Sequence, residues 1–357
     1  MSFWNTLPKP IMVLAPMADV TDAAFRRMIA KYSAHVRKDG TIGGPDVMWT
    51  EFVSADGLMR ATPEGKEKLM ADLIYSNEER PIVAQLFSSH PEYMEQAARL
   101  VMELGFDGID INMGCPDKSI EKQGCGSAMI KNPRNAQEVV RAAKRGAPTL
   151  PISVKTRVGY NHDTLEEWLP ALLEVEPAVI TVHARTRKEM SKVPARWERV
   201  KRAVEIRNEI QNDAWQKNNP NTSRTLILGN GDALSIEDAE QKVRDTGADG
   251  VMLGRAIFGN PWLFHPTKRL PERVTSLDTE SRGFELVTTH ERLRVMVEHT
   301  KLFEEILPFK NFAVMKKHYK AYVNGFDGAK ELRVELMEQP TSSAVEEVVN
   351  SFLKTLS

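Results

Sequence analysis

Cys115 stands in the run Asn112-Met113-Gly114-Cys115-Pro116, where a glycine permits unusual backbone angles and a proline stiffens the exit. A lone thiol is either an inert filler or a positioned reactive group. Fillers belong in mid-strand, whereas Cys115 follows the end of an apolar run, so the reactive reading is preferred. Cys125, in Gln123-Gly124-Cys125-Gly126-Ser127, takes the inert reading, because mobile glycines position a reactive group poorly. Lys155 and Arg157 close the run Ile-Ser-Val-Lys-Thr-Arg. An ammonium is costly to bury unless an anion compensates it, so Lys155 implies an anionic ligand. His183, two residues before Arg185, would extend Lys155 into a positive, hydrogen-bonding wall; the alternative is a structural histidine. Gln85, flanked by Val83, Ala84, Leu86 and Phe87, either ties down a loop or offers a donor and an acceptor to a bound ring.

These residues sit at or beside the ends of eight short apolar runs: 11–17, 47–52, 81–87, 108–112, 151–157, 178–185, 226–231 and 250–255. Runs of this length, separated by helix-sized stretches, read as parallel strands buried on both faces. Eight of them make an α/β chain with a (β/α)8 TIM barrel, a fold that places chemistry at the carboxyl ends of its strands. Between them, 91–104, 133–145, 164–174, 195–212 and 235–246 read as helices, and 31–46 and 212–224 as long surface loops.

Pro16 stops the first strand, which either exposes backbone groups of Met17 and Ala18 at the barrel mouth or makes a simple turn capped by Thr21 or Asp22. The last two strands run into Gly229-Asn230-Gly231-Asp232 and Gly254-Arg255. Asn-Gly alone marks a hairpin turn, but paired glycine loops after these two strands are the usual phosphate position of such barrels, and Arg255 adds a bidentate donor fork. A phosphate grip, a cation, a glutamine and a thiol across the mouth suit flavin mononucleotide with a substrate stacked above it. The cysteine would then act as an acid rather than a nucleophile.

The chain has 357 residues and a formal net charge of -1, so any polyanion-binding surface must be a local patch. Cys115 and Cys125 fit neither a zinc pair nor a disulfide framework, which points to a reduced, cytoplasmic setting and no metal. The start of the chain lacks the marks of a signal peptide, and no apolar stretch approaches a membrane span. The expected organisation is a catalytic barrel over 1–264, a polar, proline-dotted linker over 265–283, and a small helical bundle over 284–357 with helices at 286–307, 310–323, 330–337 and 343–356. No dimerising segment is evident, so a monomer is expected.

Six segments in order, APMADVTD (15–22), INMGCP (111–116), SVKTR (153–157), TVHARTR (181–187), GNGD (229–232) and GRAIFGNPWLF (254–264), resemble the signature of the tRNA-dihydrouridine synthases. The likeness spans the barrel, and Lys330-Glu331-Leu332-Arg333 is similar to the family's C-terminal helical domain. It implies FMN-dependent reduction of the C5–C6 double bond of uracil in tRNA, with NADPH or NADH reducing the flavin. Carried onto this sequence, Pro16, Met17, Ala18, Gln85, Lys155, His183, Asn230, Gly231, Asp232, Gly254 and Arg255 would bind FMN. Asn112, Arg157 and Arg185 would lie on the substrate side, and Cys115 would give the proton to C5 as hydride passes to C6. Asp19 departs from the family, which commonly has glycine there.

Two basic stretches could meet RNA phosphates. Residues 185–207 hold nine Lys or Arg against three Glu, and 310–324 hold four lysines with no acid, among them Lys316, Lys317 and Lys320. Other readings of the same residues are a flavin barrel reducing a small unsaturated metabolite, a Schiff-base lyase built on Lys155, and a protein that holds RNA without altering it.

Overall fold

The computed structural model describes residues 2–37, 39–219, 222–271 and 283–356. Eight parallel strands form its central sheet: β1 (Ile11–Leu14), β2 (Met48–Ser54), β3 (Ile82–Phe87), β4 (Gly108–Met113), β5 (Ile152–Gly159), β6 (Val179–Thr186), β7 (Leu226–Asn230) and β8 (Gly250–Leu253). Each pairs with its sequence neighbour from β2 to β8, and β8 pairs with β1. The ring closes where Leu14 N–H donates to Val47 O at 3.1 Å and Asp46 N–H donates to Met12 O at 2.8 Å, just before β2. The apolar runs are therefore the strands of a closed barrel, and their unbroken burial, complete in β1, β3, β4, β7 and β8, reflects cover on both faces. Beneath, the turn Phe3–Thr6 places Trp4 against Trp49 in an apolar cluster with Val13, Val83, Leu228 and Met252.

The intervening helices start where local chemistry starts them. Pro91 and Pro133 occupy first-turn positions, and Ser235 caps Ile236–Thr246 by accepting from Asp238 N–H at 3.1 Å. The stretch 212–224, expected as loop, contains the short helix Asp213–Asn218, because the Asn212 side chain accepts from Trp215 N–H. The stretch 31–46 holds a small antiparallel pair, His35–Val36 with Ile42–Gly43.

The chain divides into two compact units, and the division departs from the expected boundaries at 264 and 284. The first comprises 1–17, 46–75 and 80–254; the second comprises 18–45, 76–79 and 255–357. The physical reason is the helix Ala23–Tyr32, whose Ala24 and Met28 share one apolar core with Trp262, Leu293, Met296, Phe303, Tyr319 and Tyr322. The expected linker is in part structured, with Lys268–Arg269 pairing Glu285–Leu286; its centre, 272–282, lies outside the described residues. The tail forms the helices Thr289–Ile306, Met315–Tyr322, Ala329–Met337 and Ser342–Leu353. Asp22 caps the helix Ala23–Tyr32 by accepting from Phe25 N–H at 2.9 Å, as the turn reading of this segment supposed.

Inside this second unit His299 and His318 are fully buried, 4.7 Å apart between ring centroids, and packed on Phe25. Burial holds His318 at a pKa of about 3 and pushes His299 well below its ordinary value, so both are neutral. The unfolded chain takes up these protons near pH 6.5 and the folded one does not, so stability falls as pH drops below 6.5. The expected loss is about 1 kcal/mol per histidine for each pH unit in that range. Thermal melts at pH 7 and pH 5 check it: His299→Met is expected to lose less than the wild-type chain on acidification, and equal losses would contradict the assignment.

Candidate active site

Adjacent strands bring the chemistry-bearing residues into register: Gln85 pairs with Asp110, Asn112 with Lys155, Arg157 with His183, and His183 with Asn230. Residues two apart share a face, so Asp110 and Asn112 stand together on β4, and Ser153, Lys155 and Arg157 on β5. Hydrogen bonds join them. Ser153 Oγ donates to Asp110 Oδ1 at 2.6 Å, and Gln85 Nε2 donates to Asp110 Oδ2 at 2.7 Å. Asn112 Nδ2 donates to Gln85 Oε1 at 3.1 Å, while Asn112 Oδ1 accepts from the N–H groups of Gly114 at 3.1 Å and Cys115 at 2.9 Å. The expected glutamine and asparagine thus lead to the expected cysteine through side-chain bonds. Asp110, fully buried, was not foreseen; burial raises its carboxyl to a pKa of about 6 against the pull of Gln85, Ser153 and Lys155.

The Cys115 side chain is partly exposed on the loop after β4. Burial raises its thiol above the usual value more than its hydrogen bond to the Asp117 backbone and the nearby Lys155 and Arg157 lower it. It is therefore a protonated thiol at neutral pH, suited to donate. Cys125 is buried in an apolar cluster with Phe87 and Ile120, its thiol pushed up to about 11, which fits the inert reading. Burial and Arg157 bring Lys155 down to about 8, so an arriving anion would restore its full charge.

Arg157 is engaged by backbone. It is 6% exposed and its guanidinium donates to the carbonyls of Gly114 at 2.7 Å, Thr186 at 3.1 Å and Met190 at 3.0 Å. It pins the cysteine loop to the end of β6 and the loop after it, a bracing role. Arg185 is likewise buried: it donates to Val193 O at 2.6 Å, to the Asp232 carboxylate, and to His183 Nε2 at 3.0 Å. A guanidinium only donates, so His183 Nε2 is the acceptor and the ring proton sits on Nδ1.

The loop after β7 is held by its own residues. Asn230 Nδ2 donates to Met252 O at 2.8 Å, and Asp232 accepts from Ala195 N–H at 2.8 Å as well as from Arg185. Their side chains thus support the loop. Gly231 has φ +118°, and a Cβ there would lie 2.8 Å from Ala195 Cβ. At Gly254, by contrast, a Cβ would meet only Ala15 and Met17 at an ordinary 3.6 Å, so protein packing alone does not require glycine. Pro16 and Met17 are half-buried just beyond β1.

Ala18, Arg255, Lys316, Lys317 and Lys320 belong to the second unit. Ala18 and Arg255 are exposed. On the helix Met315–Tyr322 the buried residues are Met315, His318, Tyr319 and Tyr322, which leaves the three lysines on the other face. Lys317 lies 3.7 Å from Asp19, whose φ of 52° is the left-handed conformation that glycine adopts freely. The basic stretch 185–207 is largely neutralised. Carboxylates engage Arg185, Arg187, Arg196, Arg199, Arg202 and Arg207, six of its nine cations.

The chain matches the family described as "Dihydrouridine synthase (Dus)" over residues 13–357. A "Probable tRNA-dihydrouridine synthase" of Staphylococcus epidermidis is 35% identical over 354 residues, covering 98% of this chain and 96% of its own. A "Probable tRNA-dihydrouridine synthase 2" of Bacillus subtilis is 36% identical over 352 residues, with 98% and 96% covered. Among solved structures, histamine dehydrogenase from Rhizobium sp. 4-9 aligns with a TM-score of 0.45 at 13% identity, over 82% of this chain and 49% of that one.

Proposed function

This chain belongs to the dihydrouridine synthase family, and we propose that it reduces the C5–C6 double bond of specific uridines in tRNA, using FMN with NADPH or NADH as reductant. The observation that carries the chemistry is Cys115, a thiol kept protonated by burial, on a loop braced by Asn112 and Arg157 and within the field of Lys155. A protonated donor is what C5 requires at neutral pH. The thiolate left after transfer faces the charges of Lys155 and Arg157, which stabilise it until solvent restores the proton.

The residues present fit a flavin phosphate and ring. The backbone of Gly231 and Gly254 offers N–H groups, and the open position at Gly254 lets a phosphate approach closely. Lys155 would hold the negative end of the ring, with His183 and Gln85 as hydrogen-bonding partners and Met17 beside it. When bound, the flavin supplies hydride to C6. Asn112 and Arg185 order the loops around the base, and the lysine face of the helix Met315–Tyr322 serves RNA phosphates. The uracil must leave its stack, which costs a few kcal/mol and makes such distant contacts necessary. In this reading the enzyme is a cytoplasmic monomer, with the barrel catalytic and the tail helices binding tRNA; metal and membrane have no part. No helix among the described residues is long and apolar enough to cross a membrane.

Lys155→Met is expected to weaken FMN binding about ten- to hundred-fold, the worth of one charge-assisted bond. Fluorescence titration of the flavin-free protein measures it, and unchanged affinity would make Lys155 structural. The activity is tested by mapping dihydrouridine in tRNA from a strain lacking the gene. Particular uridines are expected to stay unreduced and to be reduced again when the gene is restored; a map identical to wild type in a strain with no other synthase would refute the proposal.

A further inference from the structure

The bonds from Asp110 to Cys115 run in one direction, and each end dictates it. At one end the N–H groups of Gly114 and Cys115 can only donate, so Asn112 must turn Oδ1 toward them and Nδ2 toward Gln85. Gln85 must then present Oε1 to Asn112 and Nε2 to Asp110. At the other end a carboxylate can only accept, which demands the same orientation of Gln85, while Ser153 Oγ occupies the other carboxylate oxygen. Both amides are determined twice over, because Asp110 Oδ2 accepts from Gln85 Nε2. Asp110 itself is fully buried and Gln85 is 0% exposed, so water does not substitute for either partner.

We propose that Asp110 is a positioning residue: acting through Gln85 and Asn112, it fixes the turn that presents Cys115. The geometric part stands on the structure alone; its catalytic consequence rests on the dihydrouridine-synthase reading. Protonation falls on Oδ1, which then donates to Ser153 Oγ and leaves Oδ2 accepting from Gln85 Nε2, so the relay outlasts titration of the carboxyl. The groups around Asp110 are Gln85, Ser153, Trp49 and the ammonium of Lys155, whose charge favours the ionised form, while burial disfavours it and brings the carboxyl to about 6.

Two measurements on the full chain test this. The first needs no catalysis: alkylation of Cys115 by iodoacetamide in the flavin-free protein at pH 7.5, with Cys115 and Cys125 peptides resolved by mass spectrometry. Asp110→Ala removes the acceptor and is expected to speed alkylation about five-fold, the effect of one lost buried hydrogen bond. Asp110→Asn keeps an oxygen for Gln85 and an amide for Ser153 Oγ, and is expected to react at the wild-type rate. The second is dihydrouridine formation: Asp110→Ala is expected to lower kcat about five-fold with the KM for tRNA unchanged, and Asp110→Asn to recover most of that loss. Equal alkylation rates in wild type and Asp110→Ala overturn the proposal, as does Asp110→Asn alkylating as fast as Asp110→Ala. If Asp110→Ala does not fold, Gln85→Leu, which cuts the relay one link nearer the cysteine, is read in the same alkylation assay; the same rise is expected and an unchanged rate overturns the proposal. Absence of turnover in the wild-type chain speaks against the enzymatic reading and leaves the alkylation result standing.

Discussion

Cys115→Ala is expected to lower dihydrouridine formation by about 10²- to 10⁴-fold, the range of a lost general acid, with flavin content unchanged. The side chain is small and partly exposed, so its removal leaves little cavity. The turn that carries it is held from elsewhere: Asn112 caps the N–H groups, Arg157 binds Gly114 O at 2.7 Å, and Ser127 N–H donates to Cys115 O at 2.9 Å. None of these uses the thiol. The variant should therefore fold, hold FMN and accept electrons from NADPH at the wild-type rate, failing only at the nucleobase. Stopped-flow reduction and mass-spectrometric product counts separate the steps. Product at the wild-type rate would remove Cys115 from the chemistry, and loss of flavin reduction would make it a cofactor-binding residue.

Glu79→Ala is expected to destabilise the protein by about 3–5 kcal/mol, because it strands a buried guanidinium. Arg26 and Glu79 are both 0% exposed, and Arg26 Nε donates to Glu79 Oε2 at 2.6 Å. Arg26 also donates to Thr21 O at 2.7 Å, and Glu79 accepts from Ser76 N–H at 2.9 Å, so the pair ties the short segment 76–79 to the helix Ala23–Tyr32 within the second unit. Lys31→Ala is the natural comparison. Its partner is Glu298 and both side chains are well exposed, at 59% and 39%, so a loss below about 1 kcal/mol is expected. Thermal and denaturant melts of the two variants would show the contrast; an equal, small effect from Glu79→Ala would mean that Arg26 finds water or another acceptor.

The barrel was legible because a parallel strand covered on both faces leaves a short apolar run, and eight such runs survive in the sequence almost intact. Their ends were also legible: Pro16 and Gly114 show where chains turn, and a lysine among apolar residues shows where an anion is wanted. What sequence spacing hides is direction. The resemblance puts Arg157 and Arg185 on the substrate side, yet three backbone carbonyls bind the first, while the second is shared among Val193, His183 and Asp232. The same holds in part for the stretch 185–207: Glu189 and Glu205 lie within it, but its partners Asp163, Glu166, Glu121, Asp232 and Asp249 come from other parts of the chain. Asp110 left a signal that could have been read: an acid two residues before Asn112 in a buried strand points to the same face and must find donors there. The boundary between the two units was not legible, since it depends on Ala24 and Met28 sharing a core with residues about 240 or more positions later.

Anaerobic reoxidation of the flavin by RNA tests the central claim most directly. The purified chain, loaded with FMN and reduced by NADPH without oxygen, is mixed with tRNA lacking dihydrouridine, and the visible absorbance is followed. The expected result is return of the oxidised flavin spectrum in step with dihydrouridine, and no return with tRNA already modified at its target positions. A folded protein that takes up no FMN, or whose reduced flavin persists in the presence of unmodified tRNA, would contradict the account.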